Sequence, residues 1–365
     1  MRFKIHQDTL SKGLTTVSRY TANKGQLPIL ANILIEADKG GVFLSATNLE
    51  MGIRVDIGGM VEVPGSITVP AKNLAEFVNS WPSGTIELKL KEEKLTVKSS
   101  KSQATFATVD ALEFPSIPRV EERESRGVEV PSQIFKEISQ RVAFAASVDD
   151  SRPVLTGVKF IVDSSQLIVV ATDGFRLSQK KLEANSSQLA PIILPARTII
   201  ELSKLAEEET VKMNVVSENN QVIFDLGKTQ LTSRILEGNF PDVAKIIPKE
   251  FRTQATVDRE EMLKAVKSAG IFARENNNIV KCLISGDQCL VRATGSQVGE
   301  NEATLDAEVS GDEIQISFNY KYLLDFLNSV SCERILMKFN ESVSPAVFME
   351  EKDETLIHLI MPVRV

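Results

Sequence analysis

The strongest constraint on this chain is an internal repeat with a period of about 125 residues. Three segments of the first copy reappear 125 positions later. They are Leu27–Leu30 (LPIL) against Arg152–Leu155 (RPVL), Ala46–Glu50 (ATNLE) against Ala171–Phe175 (ATDGF), and Val69–Leu74 (VPAKNL) against Leu194–Ile199 (LPARTI). A period of this length exceeds that of a solenoid unit and matches a whole domain. The repeat therefore predicts homologous domains.

A third, fainter copy follows the second. Ala293–Gly295 (ATG) lies 122 positions beyond Ala171, and Phe318–Leu323 lies 124 positions beyond Leu194. The copies also end alike, at Phe114-Pro115, Phe240-Pro241 and Met361-Pro362. Charged, proline-bounded linkers separate the copies. We predict three domains, at residues 1–120, 128–247 and 252–365.

Each copy has the same order of predicted elements. A short strand leads into an amphipathic helix whose apolar residues recur every three or four positions. The apolar stripes are Leu10, Leu14 and Val17, then Phe135, Ile138 and Val142, then Met262, Val266 and Ala269. Alternating strands such as Thr85–Leu90 and Lys94–Lys98 follow, and a second helix ends at Trp81, Leu205 or Val330. Two helices and many strands per copy predict the α+β class.

Residues suited to catalysis are few in this chain. The two histidines, His6 and His358, are isolated, which favours a surface or hydrogen-bonded role. The three cysteines are too few and too far apart for a disulfide framework or a zinc site. Gly227-Lys228-Thr229 lacks the upstream glycine of a phosphate-binding loop, so it favours a hairpin turn. The sequence predicts a protein that is not an enzyme and uses no metal or cofactor.

The cations are distributed less evenly than the net charge of −7 suggests. As a bulk property, that charge argues against a general nucleic-acid binder. On the first helix, however, Lys12 and Arg19 lie opposite the apolar stripe. In the other copies Lys136, Lys264 and Lys267 occupy the same face, with Arg141 on its flank. The recurrence predicts one basic surface shared by the three copies.

Four segments together resemble those of the bacterial DNA sliding clamp family, the β subunits of DNA polymerase III. They are Leu27–Leu30, Ala171–Leu177, Phe240–Asp242 and Met361–Val365. The resemblance covers the whole chain, including its length, its repeat and the order of its motifs. It implies an α+β fold of three homologous sliding-clamp domains, each with two helices and antiparallel sheets. It also implies a ring-shaped, head-to-tail homodimer whose helices line the pore.

The resemblance further implies a DNA polymerase processivity factor that encircles double-stranded DNA without sequence preference. Its partners would be the catalytic subunit of DNA polymerase III, the clamp loader, other polymerases and mismatch-repair proteins, with no membrane. Cations in the pore hold the duplex through its phosphates. The predicted DNA-binding residues are Lys12, Arg19, Lys24, Lys72, Lys136, Arg141, Arg197, Lys204, Lys264 and Lys267, with Lys321 at the position that matches Lys72 and Arg197.

A pocket for partner peptides between the second and third domains is also implied by the resemblance. It comprises Leu155, Thr172, Gly174, Phe175, Arg176, Leu177, Pro241, Lys245, Ile246, Leu359, Met361, Pro362, Val363 and Arg364. Aliphatic side chains and methionine suit an adaptable apolar slot, and Arg176 and Arg364 could hold polar or carboxylate groups of the peptide. Phe175 and Lys245 depart from the histidine and arginine often found in the family, which implies a different peptide preference.

A dimer interface is implied at the ends of the first and third domains. Ile271 lies on the stripe of Lys264, away from the core face, and Phe272 lies beside it. By resemblance these two residues would meet Phe106 of the partner, with Lys101 and Glu300 or Glu302 as charges at the rim.

Two other functions compete with the clamp. One is a three-domain, peptide-binding adaptor that does not encircle DNA. The other is a phosphoryl-transfer enzyme that holds a metal through Asp149, Asp150 and Asp173. Because the N-terminus lacks the apolar core of a signal peptide and no run approaches the length of a membrane span, we expect a soluble, cytoplasmic protein.

Overall fold

The computed structural model describes the chain except for residues 23–26, 121–126, 164–165, 184–189, 207–208, 217–218 and 365. Lys24, one of the predicted DNA-binding residues, lies outside the described residues. The chain divides into two compact units. The first combines Met1–Ser132 with Lys204–Ile235, and the second combines Gln133–Ser203 with Leu236–Val365.

The first repeat begins with a strand and an amphipathic helix, as its apolar pattern predicts. The elements are β1 (Arg2–His6), α1 (Gln7–Ser18), β2 (Asn32–Asp38), β3 (Gly41–Thr47), β4 (Met51–Asp56), β5 (Met60–Val63), β6 (Gly65–Pro70), α2 (Ala71–Asn79), β7 (Thr85–Lys91), β8 (Lys94–Lys98) and β9 (Gln103–Ala107). The stripe of α1 is fully buried, since Leu10, Leu14 and Val17 have no exposed surface. Helix α2 ends two residues before the predicted Trp81.

The second repeat follows the same order, except that none of its described residues forms a counterpart of β5. Its elements are β10 (Val128–Pro131), α3 (Ser132–Arg141), β11 (Gly157–Asp163), β12 (Gln166–Thr172), β13 (Arg176–Glu183), β14 (Ile192–Pro195), α4 (Ala196–Leu205), β15 (Thr210–Val216), β16 (Gln221–Asp225) and β17 (Thr229–Arg234). The Gly227-Lys228-Thr229 segment is the predicted hairpin turn: Leu226 N donates to Thr229 O at 2.8 Å, and Gly227 has a φ of +76°. That left-handed conformation suits glycine.

The third repeat completes the pattern. Its elements are β18 (Thr253–Asp258), α5 (Arg259–Ala273), β19 (Ile279–Ser285), β20 (Gln288–Gly295), β21 (Gly299–Gly311), β22 (Ile314–Asn319), α6 (Tyr320–Ser329), β23 (Arg334–Phe339), β24 (Ala346–Glu350) and β25 (Asp353–Ile360). Both helices start at a polar cap: Asp258 accepts from Glu261 N at 2.8 Å, and Asn319 accepts from Lys321 N at 3.0 Å. These bonds pair amides that a helix start leaves without partners.

Antiparallel pairing joins consecutive repeats edge to edge. The first unit holds a five-stranded sheet, β5-β1-β7-β8-β9, and an eight-stranded sheet, β10-β15-β16-β17-β4-β3-β2-β6. The second unit holds a twelve-stranded sheet, β14-β11-β12-β13-β25-β24-β23-β18-β21-β20-β19-β22. Strand β4 pairs with β17, and β13 pairs with β25. We call these pairs the first junction and the second junction.

The end of each repeat docks on the strand that leads to its own second helix. Val109 N donates to Thr68 O at 3.1 Å in the first repeat. Leu236 N donates to Ile193 O, and Val363 N donates to Ser317 O, both at 2.8 Å. The three repeats therefore end with the same kind of backbone contact. None of the described helices combines the length and apolar character that a membrane crossing requires.

Candidate functional site

The loop between β12 and β13 is held by its own side chains. Thr172 Oγ1 donates to Arg176 O at 2.6 Å and accepts from Gly174 N at 3.1 Å. Asp173 Oδ1 accepts the amides of Phe175 and Arg176, each at 2.9 Å. Gly174 has a φ of +89°, a left-handed conformation that costs glycine little. The resulting turn projects Phe175, whose surface is 63% exposed.

Arg176 turns away from solvent and bonds to its own chain. Its Nε donates to Asp173 Oδ2 at 3.1 Å, and a terminal nitrogen donates to Phe144 O at 2.8 Å. The other terminal nitrogen pairs with the carboxylate of Asp325. Three of the five N–H groups of the guanidinium are therefore engaged within the chain, and the side chain is held against the loop. That Arg176 holds a polar group of a peptide stays a prediction.

A small apolar cluster lies beneath this loop, apart from the main core of the third repeat. Its buried members are Val170, Leu177, Val243, Val347, Met349 and Leu359. Met361 and Phe240 pack against it while keeping part of their surface exposed. Leu177 and Leu359 therefore form a floor, whereas Met361 offers an adaptable apolar edge.

The C-terminal tail continues from this cluster. Met361 N donates to Phe175 O at 2.8 Å, so the tail is bonded directly to the Phe175 loop. Pro362 and Val363 are partly buried, and Arg364 is exposed. The structure thus brings the loop residues Thr172 to Leu177 together with Leu359 and Met361.

The remaining predicted pocket residues lie on neighbouring segments. Leu155 is buried in a short helical turn, and Pro241 is partly buried. Lys245 is exposed and pairs with Asp242 at 3.0 Å, which lowers the pKa of that carboxyl. Ile246, one residue further along, is 39% exposed and supplies apolar surface.

The predicted cations lie mostly on exposed helix faces. The exposed members are Lys12, Arg19, Lys72, Lys136, Arg197, Lys204, Lys264, Lys267 and Lys321. Arg141 does not belong to this set, which corrects the prediction. Its guanidinium bonds to Glu350 at 2.6 Å and lies 3.5 Å from Asp353, with only 19% of the side chain exposed. The charge of Arg141 is therefore balanced inside the second unit.

The residues predicted at the dimer interface differ in exposure. Ile271 is 57% exposed, but Phe272 is partly buried against the core of the third repeat. Phe106 on β9 is also partly buried, with its ring 5.5 Å from that of Phe77. Lys101 and Glu300 are exposed, and Glu302 pairs with Arg292.

Of the three aspartates of the alternative enzyme, Asp149 and Asp173 are engaged locally, and Asp150 is exposed. Asp149 accepts from the amide and hydroxyl of Ser151, which lowers its pKa. Asp173 is occupied by its own loop and by Arg176. Within the described residues, no group of three or more histidines, cysteines, aspartates or glutamates is arranged to bind a metal.

His358 departs from the predicted surface or hydrogen-bonded role. It is fully buried, and neither ring nitrogen has a hydrogen-bond partner among the described residues. Burial, with a smaller effect from the charge of Arg176, lowers its pKa from 6.5 to about 3. Its ring stacks on Phe326 at 5.2 Å and lies 5.4 Å from Phe144. The imidazole is therefore a neutral core group.

Sequence reasoning missed several residues that hold the site together. Asp325 and Tyr322 of α6 contact Arg176, and Lys180 binds Asp353 across the second junction. Each contact joins residues from different repeats, so a local sequence motif cannot predict it. The one available signal was the spacing of Tyr322 and Asp325, which places both on one face of a helix.

Relatives with known names match the chain along its full length. The beta sliding clamp of Bacillus subtilis is 30% identical over 378 residues, covering 100% of both chains. The beta sliding clamp of Staphylococcus aureus is 27% identical over 376 residues, covering 100% of this chain and 99% of that relative.

Solved structures match in fold as well. The DNA polymerase sliding clamp from Bacillus subtilis superposes with a TM-score of 0.95 at 29% identity, covering 100% of this chain and 99% of that one. The beta subunit from the DNA polymerase of Streptococcus pyogenes gives a TM-score of 0.93 at 28% identity, covering 100% of both chains. The chain therefore has the three-domain sliding-clamp fold.

Family models for the DNA polymerase III beta subunit account for nearly every residue. The N-terminal domain matches residues 1–118, the central domain residues 129–242, and the C-terminal domain residues 244–364. These matches follow the three repeats in order. The chain belongs to the DNA polymerase III beta subunit family, the beta sliding clamps, which are non-catalytic processivity factors of DNA polymerase III.

Proposed function

We propose that two copies of this chain close head to tail into a ring that encircles duplex DNA in the cytoplasm. The observation that carries the proposal is the rule by which repeats join. At both junctions, the third strand after the first helix of one repeat, β4 or β13, pairs with the last strand of the next repeat, β17 or β25. The same rule leaves β21 of the third repeat to pair with β9 of the first repeat of another copy.

Both of these strands have an edge available for pairing. Among the described residues, β9 pairs only with β8, and residues 299–306 of β21 pair only with β20. An unpaired edge is a template for a further strand. Pairing between two copies at both ends would close a two-fold ring of six domains.

Charge supports the same pairing. The exposed side chains near β9 include Lys94, Lys98 and Lys101, whereas β21 exposes Glu300, Glu302 and Asp306. Over whole repeats, the first has a net positive charge and the third a net negative one. Complementary edges attract a head-to-tail partner and oppose head-to-head pairing. Exposed Ile271 adds apolar area to the acidic end.

The exposed cations on the helices support the DNA-facing role. Lys12, Lys136 and Lys264 occupy related faces of α1, α3 and α5, away from the buried stripes. Lysines that attract phosphates do not distinguish one base from another. The ring would therefore hold a duplex of any sequence and could slide along it.

The Phe175 loop and the C-terminal tail support binding of an extended peptide. Exposed Phe175 and Ile246 with partly buried Met361 form an apolar surface over the cluster of Leu177 and Leu359. Such a surface suits peptides from the polymerase III catalytic subunit, the clamp loader, other polymerases and mismatch-repair proteins.

Retention on DNA tests the ring. The protein is loaded on nicked circular DNA by a clamp loader, and retention is followed by gel filtration. We expect retention on the circle and rapid loss after linearisation, because a ring slides off a free end. Equal retention on circular and linear DNA would contradict encirclement. The Lys12→Glu, Lys136→Glu double variant should shorten retention several-fold, whereas Lys39→Glu, in an exposed turn, is the matched control.

Oligomeric state and peptide binding are tested separately. Light scattering should report a dimer for the unchanged chain and a monomer for Ile271→Asp, with the exposed Val215→Asp as control. A dimer that survives Ile271→Asp would place the interface elsewhere. Removal of residues 361–365 should abolish binding of a labelled clamp-binding peptide without affecting dimerisation, and retained binding would refute the pocket.

A further inference from the structure

The contacts of Arg176 reach well beyond its own loop. Its guanidinium carbon lies 4.7 Å from the centre of the Tyr322 ring and 5.5 Å from the centre of the Phe144 ring. Phe144 follows the end of α3 in the second repeat, and Tyr322 belongs to α6 in the third. The side chain of Arg176 therefore contacts its own loop, the segment that follows α3, and α6 itself.

The face of α6 that meets Arg176 is continuous. Tyr322, Asp325 and Phe326 are three and four residues apart, so they share one side of the helix. Asp325 pairs with the guanidinium, whose central carbon lies over the Tyr322 ring. Phe326 stacks on His358 with their planes 13° apart. The face thus continues from the Arg176 pair into the core.

The other side of the guanidinium is closed as well. Phe144 accepts a hydrogen bond from Arg176 through its carbonyl oxygen, and its ring lies 5.4 Å from His358. Only 11% of the Arg176 side chain remains exposed. Because the guanidinium is planar and rigid, it loses less conformational entropy per hydrogen bond than the flexible side chain of lysine would.

We propose that Arg176 is a positioning residue, which fixes the Phe175 loop in its peptide-binding shape by anchoring it to Asp325 and Tyr322 of the third repeat. The inference rests on the proposed peptide binding and specifies how the second and third repeats build that site together. Asp173 links the two parts, because it holds the loop amides with one oxygen and Arg176 with the other.

The anchor has a distinct consequence for affinity. Without Asp325, the guanidinium loses its partner in the third repeat, and the loop must then be ordered by the peptide itself. Ordering a loop on binding lowers affinity. If Arg176 touched the peptide directly, the loss of affinity on its removal would instead depend on which group of the peptide it contacts.

A double-mutant cycle separates the two roles. Arg176→Ala, Asp325→Ala and the double variant are titrated with a fluorescein-labelled peptide carrying the clamp-binding segment of the matching polymerase III catalytic subunit. We expect each single variant to bind about tenfold more weakly and the double variant to bind no more weakly than Arg176→Ala alone. The exposed Asp287→Ala, in the turn between β19 and β20, is the matched control and should bind normally.

A second probe and a spectroscopic signal complete the test. A peptide with its carboxylates amidated should lose the same factor on Arg176→Ala as the charged peptide. In protein labelled with 3-fluorotyrosine, the resonance of Tyr322 should move in both single variants while that of Tyr20 should not. Asp325→Glu should bind the peptide more tightly than Asp325→Ala does, because it keeps a carboxylate near Arg176. If Asp325→Ala unfolds, Asp325→Glu takes its place in the titration.

The possible outcomes separate this inference from the proposed function. Normal peptide binding by Asp325→Ala, or independent losses that multiply in the double variant, would overturn the positioning role. A loss on Arg176→Ala that disappears with the amidated peptide would assign Arg176 to direct contact. Failure of the unchanged chain to bind the peptide would overturn the proposed pocket itself.

Discussion

The two junctions between repeats share one backbone geometry. Thr47 Oγ1 donates to Met51 O at 2.9 Å in the first repeat, as Thr172 Oγ1 does to Arg176 O in the second. Asn48 Oδ1 accepts two loop amides, in the same way as Asp173 Oδ1. At the end of β17, Arg234 N donates to Glu50 O at 2.9 Å, and this bond matches the one from Met361 N, directly after β25, to Phe175 O.

The side chains on this common backbone differ. At the first junction, Ile53 lies opposite Leu231, and both are fully buried. At the second, Ser178 lies opposite His358, and Lys180 occupies the position of Val55. At these matching positions the first junction has apolar side chains, whereas the second has polar ones. The repeat sets the backbone, whereas a few substitutions change the chemistry that each junction presents.

The largest effect is expected when Lys180 of the second junction is replaced by valine, the residue at the matching position 55 of the first junction. Lys180 is 7% exposed and binds Asp353 at 2.7 Å and Thr355 at 2.6 Å. Lys180→Val should lower the free energy of unfolding by about 3 kcal/mol, because it removes the nearest cation from two carboxylates, Asp353 and Glu137, and leaves Asp353 with Arg141 at 3.5 Å. Urea unfolding at pH 7 measures the loss, with the exposed Lys181→Val as the matched control.

The pH dependence of this variant provides an independent check. Burial opposes the charged form of Asp353, but hydrogen bonds from Lys180 and Thr355 outweigh it and lower the pKa from 3.8 to about 2. The stabilisation is present above pH 4 and is lost as the pH falls towards 2. The difference between Lys180→Val and the unchanged chain should therefore shrink below pH 4. A difference that stays constant would show that packing, not charge, causes the loss.

The next largest effect concerns the buried histidine. His358→Leu copies Leu231 of the first junction. As the pH falls below 6.5 the unfolded chain protonates its imidazole, whereas folded His358 remains neutral until pH is near 3. The unchanged chain should thus lose about 2 kcal/mol of stability between pH 7 and pH 5 through this group, and His358→Leu should not.

Urea unfolding at several pH values measures the histidine effect. His6→Leu replaces a histidine whose side chain is 53% exposed and serves as the control. Parallel pH profiles for His358→Leu and the unchanged chain would show that the buried ring gains a proton or a partner that the structure lacks.

The sequence predicted the repeats, the helix stripes and the hairpin because those depend on local patterns. Burial of Leu10, Phe135 and Met262 followed from helical spacing alone. The ion pair of Arg141 with Glu350 could not be predicted in this way, since the two residues are 209 positions apart. Spacing placed Arg141 on the flank of a helix, and only the fold brought an acidic strand to that flank.

The same limit applies to the candidate site. Resemblance identified the Phe175 loop and the Met361 tail, but a one-dimensional motif cannot show how a side chain is already occupied. Arg176 was expected to face a ligand because arginine binds carboxylates. In the structure its guanidinium is already bonded to the carboxylates of Asp173 and Asp325.

A smaller effect is expected from exchanging the central loop residue. Gly174 has a φ of +89° and open space around the position of a Cβ, so Gly174→Leu would strain the backbone without a clash. We expect a loss of about 1 to 2 kcal/mol in the free energy of unfolding. Gly174→Asn should lose less, because asparagine tolerates this conformation. Equal losses for the two variants would point to the side chain instead of the backbone.

The smallest effect lies at the matching position of the first junction. Leu49 has a φ of +74° and is 44% exposed, so it bears the backbone strain that glycine avoids in the second repeat. Leu49→Gly and Leu49→Ala both remove the packing of the side chain, but only glycine relieves the strain. Leu49→Gly should therefore be more stable than Leu49→Ala by about 1 kcal/mol, the reverse of the usual order. Thermal unfolding of the pair measures it, and an alanine variant at least as stable would mean that the left-handed loop costs the first junction nothing.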